Sequence, residues 1–219
     1  DGVAYPSGLA PIPAPGKSLS YTLSGGSFTL KTMQGSAGVK GMFLTIDESL
    51  GTIAAMNGDP DHETECFGAV SLDDESYDMS MKGRGNSTWS QKKKPYNITI
   101  YKDTVTDGAT KQFDKKKSVE LIEGVGSKKW SLLANYLDNS LIRNKIGYDL
   151  ADSLGIGLES RFVDVWMNGE YIGNYLITPK NDYLASDYGF ILELDNKPAD
   201  DDPQFTLNGL PAPSSAYLS

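Results

Sequence analysis

The Asn168-Gly169 pair constrains the fold of this chain more than any other feature. Asn-Gly is favoured in the type I′ turn, whose twist matches that of two antiparallel strands. Apolar, β-branched and aromatic side chains are frequent on both sides of the pair, over residues 161–167 and 170–178, and Pro179 ends the second run. The pattern therefore predicts a β-hairpin, and with it an antiparallel sheet.

One segment has the periodicity of a helix instead. Over residues 140–154, apolar side chains fall on one helical face. Asp138 or Asn139 is a suitable N-cap, and Gly155 is a suitable C-terminal stop. We predict an amphipathic helix that packs on the sheet. Its apolar positions are Leu141, Ile142, Ile146, Leu150, Ala151 and Leu154.

Short strand patterns occupy much of the remaining chain. They include residues 42–46, 67–72 and 77–81 before the helix, and 190–194 after the hairpin. The predicted fold class is therefore α+β, with a mainly antiparallel sheet and one packed helix. One folded domain preceded by a linker is expected. Residues 1–18 are rich in proline, alanine and glycine and predict a linker, and residues 19–219 predict one folded domain.

The composition excludes several classes of function. The 219 residues carry a net charge of −9, which argues against a nucleic-acid partner. The single cysteine, Cys66, and the single histidine, His62, leave no disulfide framework, no His/Cys zinc site and no Ser-His-Asp constellation. No apolar run approaches the roughly 20 residues that a membrane span requires.

The segment 81–98 combines unlike residues at close spacing. It contains RGNSTW at residues 84–89 and KKPY at residues 93–96. Glycines on both sides of Arg84 allow a sharp bend, and the polar side chains that follow favour a turn. Trp89 is a large apolar group in the middle of this polar stretch. On the pattern alone, a polar turn between two strands with solvated lysines explains the segment.

The same segment resembles the CotH family of spore-coat and secreted proteins, which are atypical protein kinases. The resemblance rests on RGNSTW followed closely by KKPY. Four further blocks are similar to blocks of that family and keep its order. They are residues 129–138 (KWSLLANYLD), 140–151 (SLIRNKIGYDLA), 162–175 (FVDVWMNGEYIGNY) and 189–195 (GFILELD).

The resemblance implies a fold and a reaction. It implies the small lobe of an atypical protein kinase, which uses ATP with Mg²⁺ or Mn²⁺ to phosphorylate Ser or Thr in extracellular or spore-coat proteins. The expected partner is a protein acceptor or another secreted or cell-surface protein, and the expected location is outside a bacterial cell or in the spore coat. Family members continue beyond the point that corresponds to Ser219. We therefore expect a truncated or absent large lobe, and an incomplete or inactive kinase with weak or no phosphotransfer.

A kinase needs cations for the phosphates of its nucleotide. Lys94, at the head of a predicted strand, is the candidate for the catalytic lysine that reaches the phosphates. Arg84 is a second candidate, because a guanidinium can bond two phosphate oxygens at once. Arg143, on the predicted helix, is a third, and could orient a phosphate or a carboxylate. The simpler explanation is that these charges pair with neighbours or face solvent.

A kinase also needs a carboxylate for its metal ion. Asp195 is the candidate catalytic and metal-binding residue, with Glu193 as a second metal ligand. Alternation along a strand places both side chains on one face, although a polar edge on a buried strand explains the pair equally well. The resemblance also implies nucleotide contacts at Thr178 and Lys180. Here the sequence departs from the family, which commonly has glutamate where this chain has Pro179.

A second hypothesis comes from a different class of function. The chain could be a non-enzymatic extracellular module that binds carbohydrate or protein, with the proline-rich N-terminus as its tether. Trp89, Trp130 and Trp166 discriminate between the two hypotheses. Three buried tryptophans indicate a folded core, whereas an exposed coplanar set indicates a surface for sugar rings.

Overall fold

Seven strands between Lys40 and Pro179 form one closed β-barrel. The structure, a computed structural model, describes residues 17–23, 25–31, 38–73, 75–102, 105–107, 110–113, 115–180, 194–195 and 217–218. The chain divides into two units, Asp1–Pro179 and Lys180–Ser219. The predicted linker 1–18 lies outside the described residues except for its last two positions.

The strands and helices are numbered in chain order. The strands are β1 (Ser18–Leu23), β2 (Gly26–Lys31), β3 (Lys40–Ile46), β4 (Glu65–Leu72), β5 (Glu75–Gly83), β6 (Tyr96–Ile100), β7 (Val105–Asp107), β8 (Thr110–Gln112), β9 (Val119–Ile122), β10 (Val125–Ser127), β11 (Lys129–Leu133), β12 (Arg161–Met167), β13 (Glu170–Pro179), β14 (Leu194–Asp195) and β15 (Tyr217–Leu218). The helices are α1 (Ile53–Gly58) and α2 (Arg143–Ser153), and a 3₁₀ turn spans Glu48–Leu50.

Seven strands close into a barrel in the order β11-β13-β12-β3-β4-β5-β6, with β6 beside β11. Neighbouring strands are antiparallel everywhere in the barrel except between β12 and β3, which are parallel. The remaining strand pairs are short hairpins: β1 with β2, β7 with β8, and β9 with β10. In the second unit, β14 pairs with β15.

The interior of the barrel follows from the alternation of its strands. Every second residue of β3, β4 and β6 is buried, because successive side chains point to opposite faces of a sheet. The buried set is dominated by aliphatic, methionine and aromatic side chains. Trp130 and Leu132 of β11 are fully buried at 0% exposure. The barrel is therefore a packed core.

The predicted hairpin is confirmed. β12 and β13 pair antiparallel from Met167↔Glu170 outward, and Asn168 and Gly169 have φ of 46° and 82°, as a type I′ turn requires. Val165 pairs with Gly173 and Trp166 with Tyr171, so the register skips Ile172, which marks a β-bulge in β13.

The prediction of an α+β fold with a packed helix is wrong. The structure is a mainly β protein built on a closed barrel, and α2 contributes no buried residue. The barrel is closed by the parallel pair β12–β3, so its apolar face is turned inward and filled by its own side chains. The helix therefore finds no open sheet face to cover. Its apolar side chains are exposed, from 38% at Leu141 to 64% at Leu154.

The helix also begins later than predicted, at Arg143 instead of residue 140. Residues 138–142 form turns rather than a first helical turn, with Leu141 at a φ of +61°. The N-cap residue is Ile142, so the prediction of Asp138 or Asn139 as N-cap is wrong, although the Asp138 carboxylate accepts the backbone N–H of Arg143 at 2.9 Å. Asp138 can bond the N–H of Arg143, five residues later, because the chain turns sharply at Leu141.

Two matched leucine deletions test the exposed helix. Leu132→Ala should lower the free energy of unfolding by about 2–5 kcal/mol, because Leu132 is fully buried. Leu150→Ala should change it by no more than about 0.5 kcal/mol, because Leu150 is 61% exposed. Urea unfolding followed by tryptophan fluorescence measures both. Similar losses in the two variants would show that α2 packs on the barrel after all.

Candidate functional site

A cavity of about 290 Å³ opens at one end of the barrel. Its wall combines the turn after β5, the residues before β6, the loop after β11 and the start of α2. It is lined by Arg84, Thr88, Lys93, Pro95, Leu133, Ala134, Asn135, Tyr136, Leu137, Asp138, Arg143 and Asn144. The volume suits a compact polar group, such as the phosphate chain of a nucleotide, and lies at the small end of ligand pockets.

The RGNSTW turn is held against the barrel by its tryptophan. Trp89 is 6% exposed, and its indole N–H donates to the backbone oxygen of Asp59 at 2.9 Å. A Cβ at Gly83 would lie 2.5 Å from the Trp89 ring, so only glycine admits the ring here. Gly85 has a φ of +84°, and the backbone N–H of Arg84 donates to Pro95 O at 3.3 Å. These contacts hold Arg84 at the cavity.

Arg84 is a cation that no carboxylate of the described residues neutralises. Its guanidinium forms no hydrogen bond or ion pair with any residue that the structure describes. Burial lowers the pKa of Arg84, because the charged form loses contact with water, and the nearby Tyr148 opposes the effect. A partly desolvated guanidinium without a partner attracts an anion that can bond both of its N–H groups.

Lys93, and not the predicted Lys94, lines the cavity. The ammonium group of Lys94 donates to Trp89 O at 2.7 Å and lies 4.3 Å from the centre of the Trp89 ring. Lys94 therefore supports the RGNSTW turn. Its role toward phosphate stays a prediction. The sequence pattern could not choose between two consecutive lysines that precede a strand.

The ammonium group of Lys93 is held by the backbone of two other elements. It donates to Ala134 O at 2.8 Å and to Asn174 O, and it lies 4.3 Å from the centre of the Tyr175 ring. Burial lowers the pKa of Lys93 to about 8, although attraction to Asp164 opposes the shift.

Arg143 reaches the same cavity from the start of α2, where its side chain is 81% exposed and its Nε lies 3.6 Å from Asp138 Oδ1. The adjacent Asn144 donates through its amide to Asn135 Oδ1 at 2.7 Å. Neither Asn135 nor Asn144 was predicted as a site residue, although both belong to blocks that resemble the CotH family. Hydrogen bonds from Ser140 and Arg143 lower the pKa of Asp138, so its carboxylate is engaged within its own loop.

Thr178, another predicted residue, is not among the residues that line this cavity. Thr178 is buried in β13, and its hydroxyl donates to Glu159 O at 3.0 Å. Lys180 is the first residue of the second unit, and Asp195 lies in β14 of that unit, paired with Tyr217. Glu193 lies outside the described residues. The nucleotide contacts proposed for Thr178 and Lys180, and the metal contacts proposed for Glu193 and Asp195, stay predictions.

The cavity residues fit the phosphate part of ATP better than they fit a metal ion. An unpaired guanidinium is a suitable phosphate ligand. Within the ranges that the structure describes, no three His, Cys, Asp or Glu side chains lie close enough to hold a metal ion.

The three tryptophans are all buried. Trp89, Trp130 and Trp166 are 6%, 0% and 4% exposed. They form no coplanar exposed set, so they provide no platform for sugar rings.

A family model of the CotH kinase protein matches residues 81–197, which is more than half of the 219 residues. The chain belongs to the CotH kinase family. The matched region contains every residue that lines the cavity. A comparison with curated proteins gives no match. In the described part of this CotH family member, no helix is long and apolar enough to cross a membrane.

The lowered pKa of Lys93 is open to chemical test. An amine-acylating reagent should modify Lys93 at a rate that rises from about pH 7 and levels off above about pH 8, because only the neutral amine is nucleophilic. Peptide mapping by mass spectrometry measures the rate, and a Lys93→Met variant identifies the peptide. A rate that still rises about tenfold per pH unit beyond about pH 9 would indicate an ordinary lysine.

Proposed function

We propose that this CotH family member binds ATP through the cavity and acts as a protein kinase, or as the nucleotide-binding part of one. Arg84 carries the proposal. It is a partly buried cation in the cavity, and its side chain forms no hydrogen bond or ion pair with any described residue. A phosphate chain would supply the negative charge that this side of the cavity lacks.

The proposed reaction moves the terminal phosphoryl group of ATP to a Ser or Thr hydroxyl. The hydroxyl oxygen bonds to the γ-phosphorus, the bond to the bridging oxygen breaks, ADP leaves, and the hydroxyl proton passes to a base. Arg84 and Arg143 would hold phosphate oxygens. By family resemblance, Asp195 and Glu193 would hold Mg²⁺ or Mn²⁺, which neutralises charge on the phosphates. The proposed acceptor is a secreted or spore-coat protein, and the proposed location is extracellular or in the spore coat.

The second candidate function is a non-enzymatic module that binds another protein. The exposed apolar side chains of α2 favour it, because large exposed apolar patches mark interaction surfaces. The buried tryptophans count against the carbohydrate-binding form of this hypothesis. ATP binding separates the two candidates, because a protein-binding module has no need of it.

Arg84→Gln should weaken ATP binding about 10- to 150-fold, because a hydrogen bond to a charged group contributes about 1.5–3 kcal/mol. Calorimetry with ATP and Mn²⁺ measures the affinity. Lys82→Gln is the matched control, since Lys82 lies near the end of β5, two residues before Arg84, and pairs with the exposed Glu63 at 3.1 Å. That variant should bind ATP as the wild type does.

Two outcomes of this titration would count against the assignment. Equal affinity of wild type and Arg84→Gln would remove Arg84 as a phosphate ligand, and no binding by the wild type would remove the proposal itself. Lys94→Met belongs in the same series. Wild-type affinity in that variant would remove Lys94 as a phosphate ligand and leave it the role of supporting Trp89.

Asp195→Asn should lower the weak phosphate transfer expected of this chain by about 100-fold, or to below detection, because a metal ligand would lose its charge. Transfer of labelled phosphate from ATP to a general acceptor protein measures the rate. Asp201→Asn, in the same unit, is the matched control and should leave the rate unchanged. Equal rates for Asp195→Asn and the wild type would contradict the metal role.

A further inference from the structure

Lys93 joins three parts of the chain that are distant in sequence. Its ammonium group bonds backbone oxygens at Ala134 and Asn174, which are 41 and 81 residues away. It also lies over the ring of Tyr175. An ammonium group has three N–H donors, and two of them go to these oxygens. Lys93 is therefore engaged by the protein itself, whereas Arg84 is not.

The path of the Lys93 side chain depends on Gly173. This glycine has a φ of +114°, and a Cβ built on it would lie 2.9 Å from Lys93 Cε. Gly173 is next to Ile172, the residue of β13 that the pairing with β12 skips, so the strand pair is irregular at the point where the lysine passes. A glycine serves here both for its backbone conformation and for the space it leaves.

The hydrogen bond from Lys93 to Ala134 is connected to α2, the helix that borders the cavity, through the next residue, Asn135. Asn135 follows Ala134 and has a φ of +52°. Its amide donates to Leu141 O at 3.1 Å, and its Oδ1 accepts the Asn144 amide at 2.7 Å. Because α2 buries no residue of its own, these contacts and the bond from Arg143 N–H to the Asp138 carboxylate connect its first turn to the preceding loop.

We propose that Lys93 is a positioning residue, whose hydrogen bond to Ala134 holds the Asn135 turn and thereby keeps Asn144 and Arg143 at the cavity. This inference rests on the proposed function in so far as its second readout is ATP binding. Its first readout, the mobility of residues 134–144 in the free protein, does not depend on any ligand.

The first experiment is hydrogen exchange on the full chain without nucleotide. Lys93→Met keeps the aliphatic stem and removes the donors, and should speed exchange about tenfold or more in residues 134–144. Strands β4 and β5 should exchange as in the wild type. Lys92→Met, one residue away and exposed, is the matched control and should change neither region.

The second experiment measures ATP affinity as a function of pH. Wild-type affinity should fall several-fold as the pH rises through about 8, where the ammonium group loses its charge. Lys93→Met should bind about tenfold more weakly than the wild type at about pH 7.5, with little further change. The charged and titratable groups that face Lys93 are Asp164 on β12, Tyr175 on β13, and Arg84, Asp138 and Arg143 around the cavity. Burial raises the pKa of Tyr175, so this side chain stays neutral as the pH passes through about 8.

A double-mutant cycle with Gly173→Ala adds an independent check. Gly173→Ala displaces the Lys93 stem without removing its charge, so it should loosen the same segment. The combination with Lys93→Met should be far less than additive, because both changes break one link.

Each outcome bears on one proposal or the other. Weaker ATP binding by Lys93→Met with unchanged exchange in residues 134–144 would make Lys93 a direct phosphate ligand and overturn the positioning role. Faster exchange throughout the barrel, or identical pH profiles in wild type and variant, would reduce Lys93 to general stability and also overturn it. Faster exchange confined to 134–144, with no ATP binding by the wild type, would support the link and overturn the kinase proposal.

Discussion

The parallel contact between β12 and β3 is the constraint on which the rest of the fold depends. It joins segments about 120 residues apart, and Asn168 secures its end. The backbone N–H of Asn168 donates to Leu44 O at 2.9 Å, and its side chain bonds both the N–H and the oxygen of Ile46. The same asparagine adopts the positive φ that the hairpin turn needs. Asn168 thus takes part both in the hairpin turn and in the contact that joins β12 to β3 in the closed barrel.

Closure also explains why the cavity forms where it does. Antiparallel strands bring the end of one beside the start of the next, so Gly83 pairs with Tyr96 and Leu132 pairs with Tyr96 from the other side. Leu133 in turn lies opposite Leu176 on β13. The segments that follow or precede these positions meet at one end of the barrel. Arg84, Lys93 and Ala134 are neighbours for this reason, and no local sequence pattern would place them together.

The sequence predicted local structure well and its assembly poorly, for a physical reason. The Asn-Gly turn depends on two residues, so the hairpin could be predicted closely. An alternating strand is equally compatible with an open sheet and a closed barrel, because in both one face is buried. The periodicity of residues 140–154 predicted a helix, and a helix forms over Arg143–Ser153. Periodicity identifies the apolar face of a helix, but it does not show whether another surface covers that face. Likewise, the choice between Lys93 and Lys94 depends on the space left by Gly173, 80 residues away.

The charge distribution of the cavity links stability to ligand binding. The chain carries a net charge of −9, yet Arg84, Lys93 and Arg143 line one cavity together with a single carboxylate, Asp138. That carboxylate is already engaged by Ser140 and the backbone of Arg143. Burial lowers the pKa of both Arg84 and Lys93, which means that their charged forms are held at a cost in free energy.

An anion in the cavity would offset that cost, and only in the folded protein. Binding to the folded state alone raises stability with ligand concentration, by about 2.7 kcal/mol at a hundredfold excess over the dissociation constant. A cavity selected only for stability would place a carboxylate beside Arg84. Its position is instead fixed by Trp89 and Gly83 while its guanidinium is left without a described partner. This arrangement favours a site that is completed by its ligand.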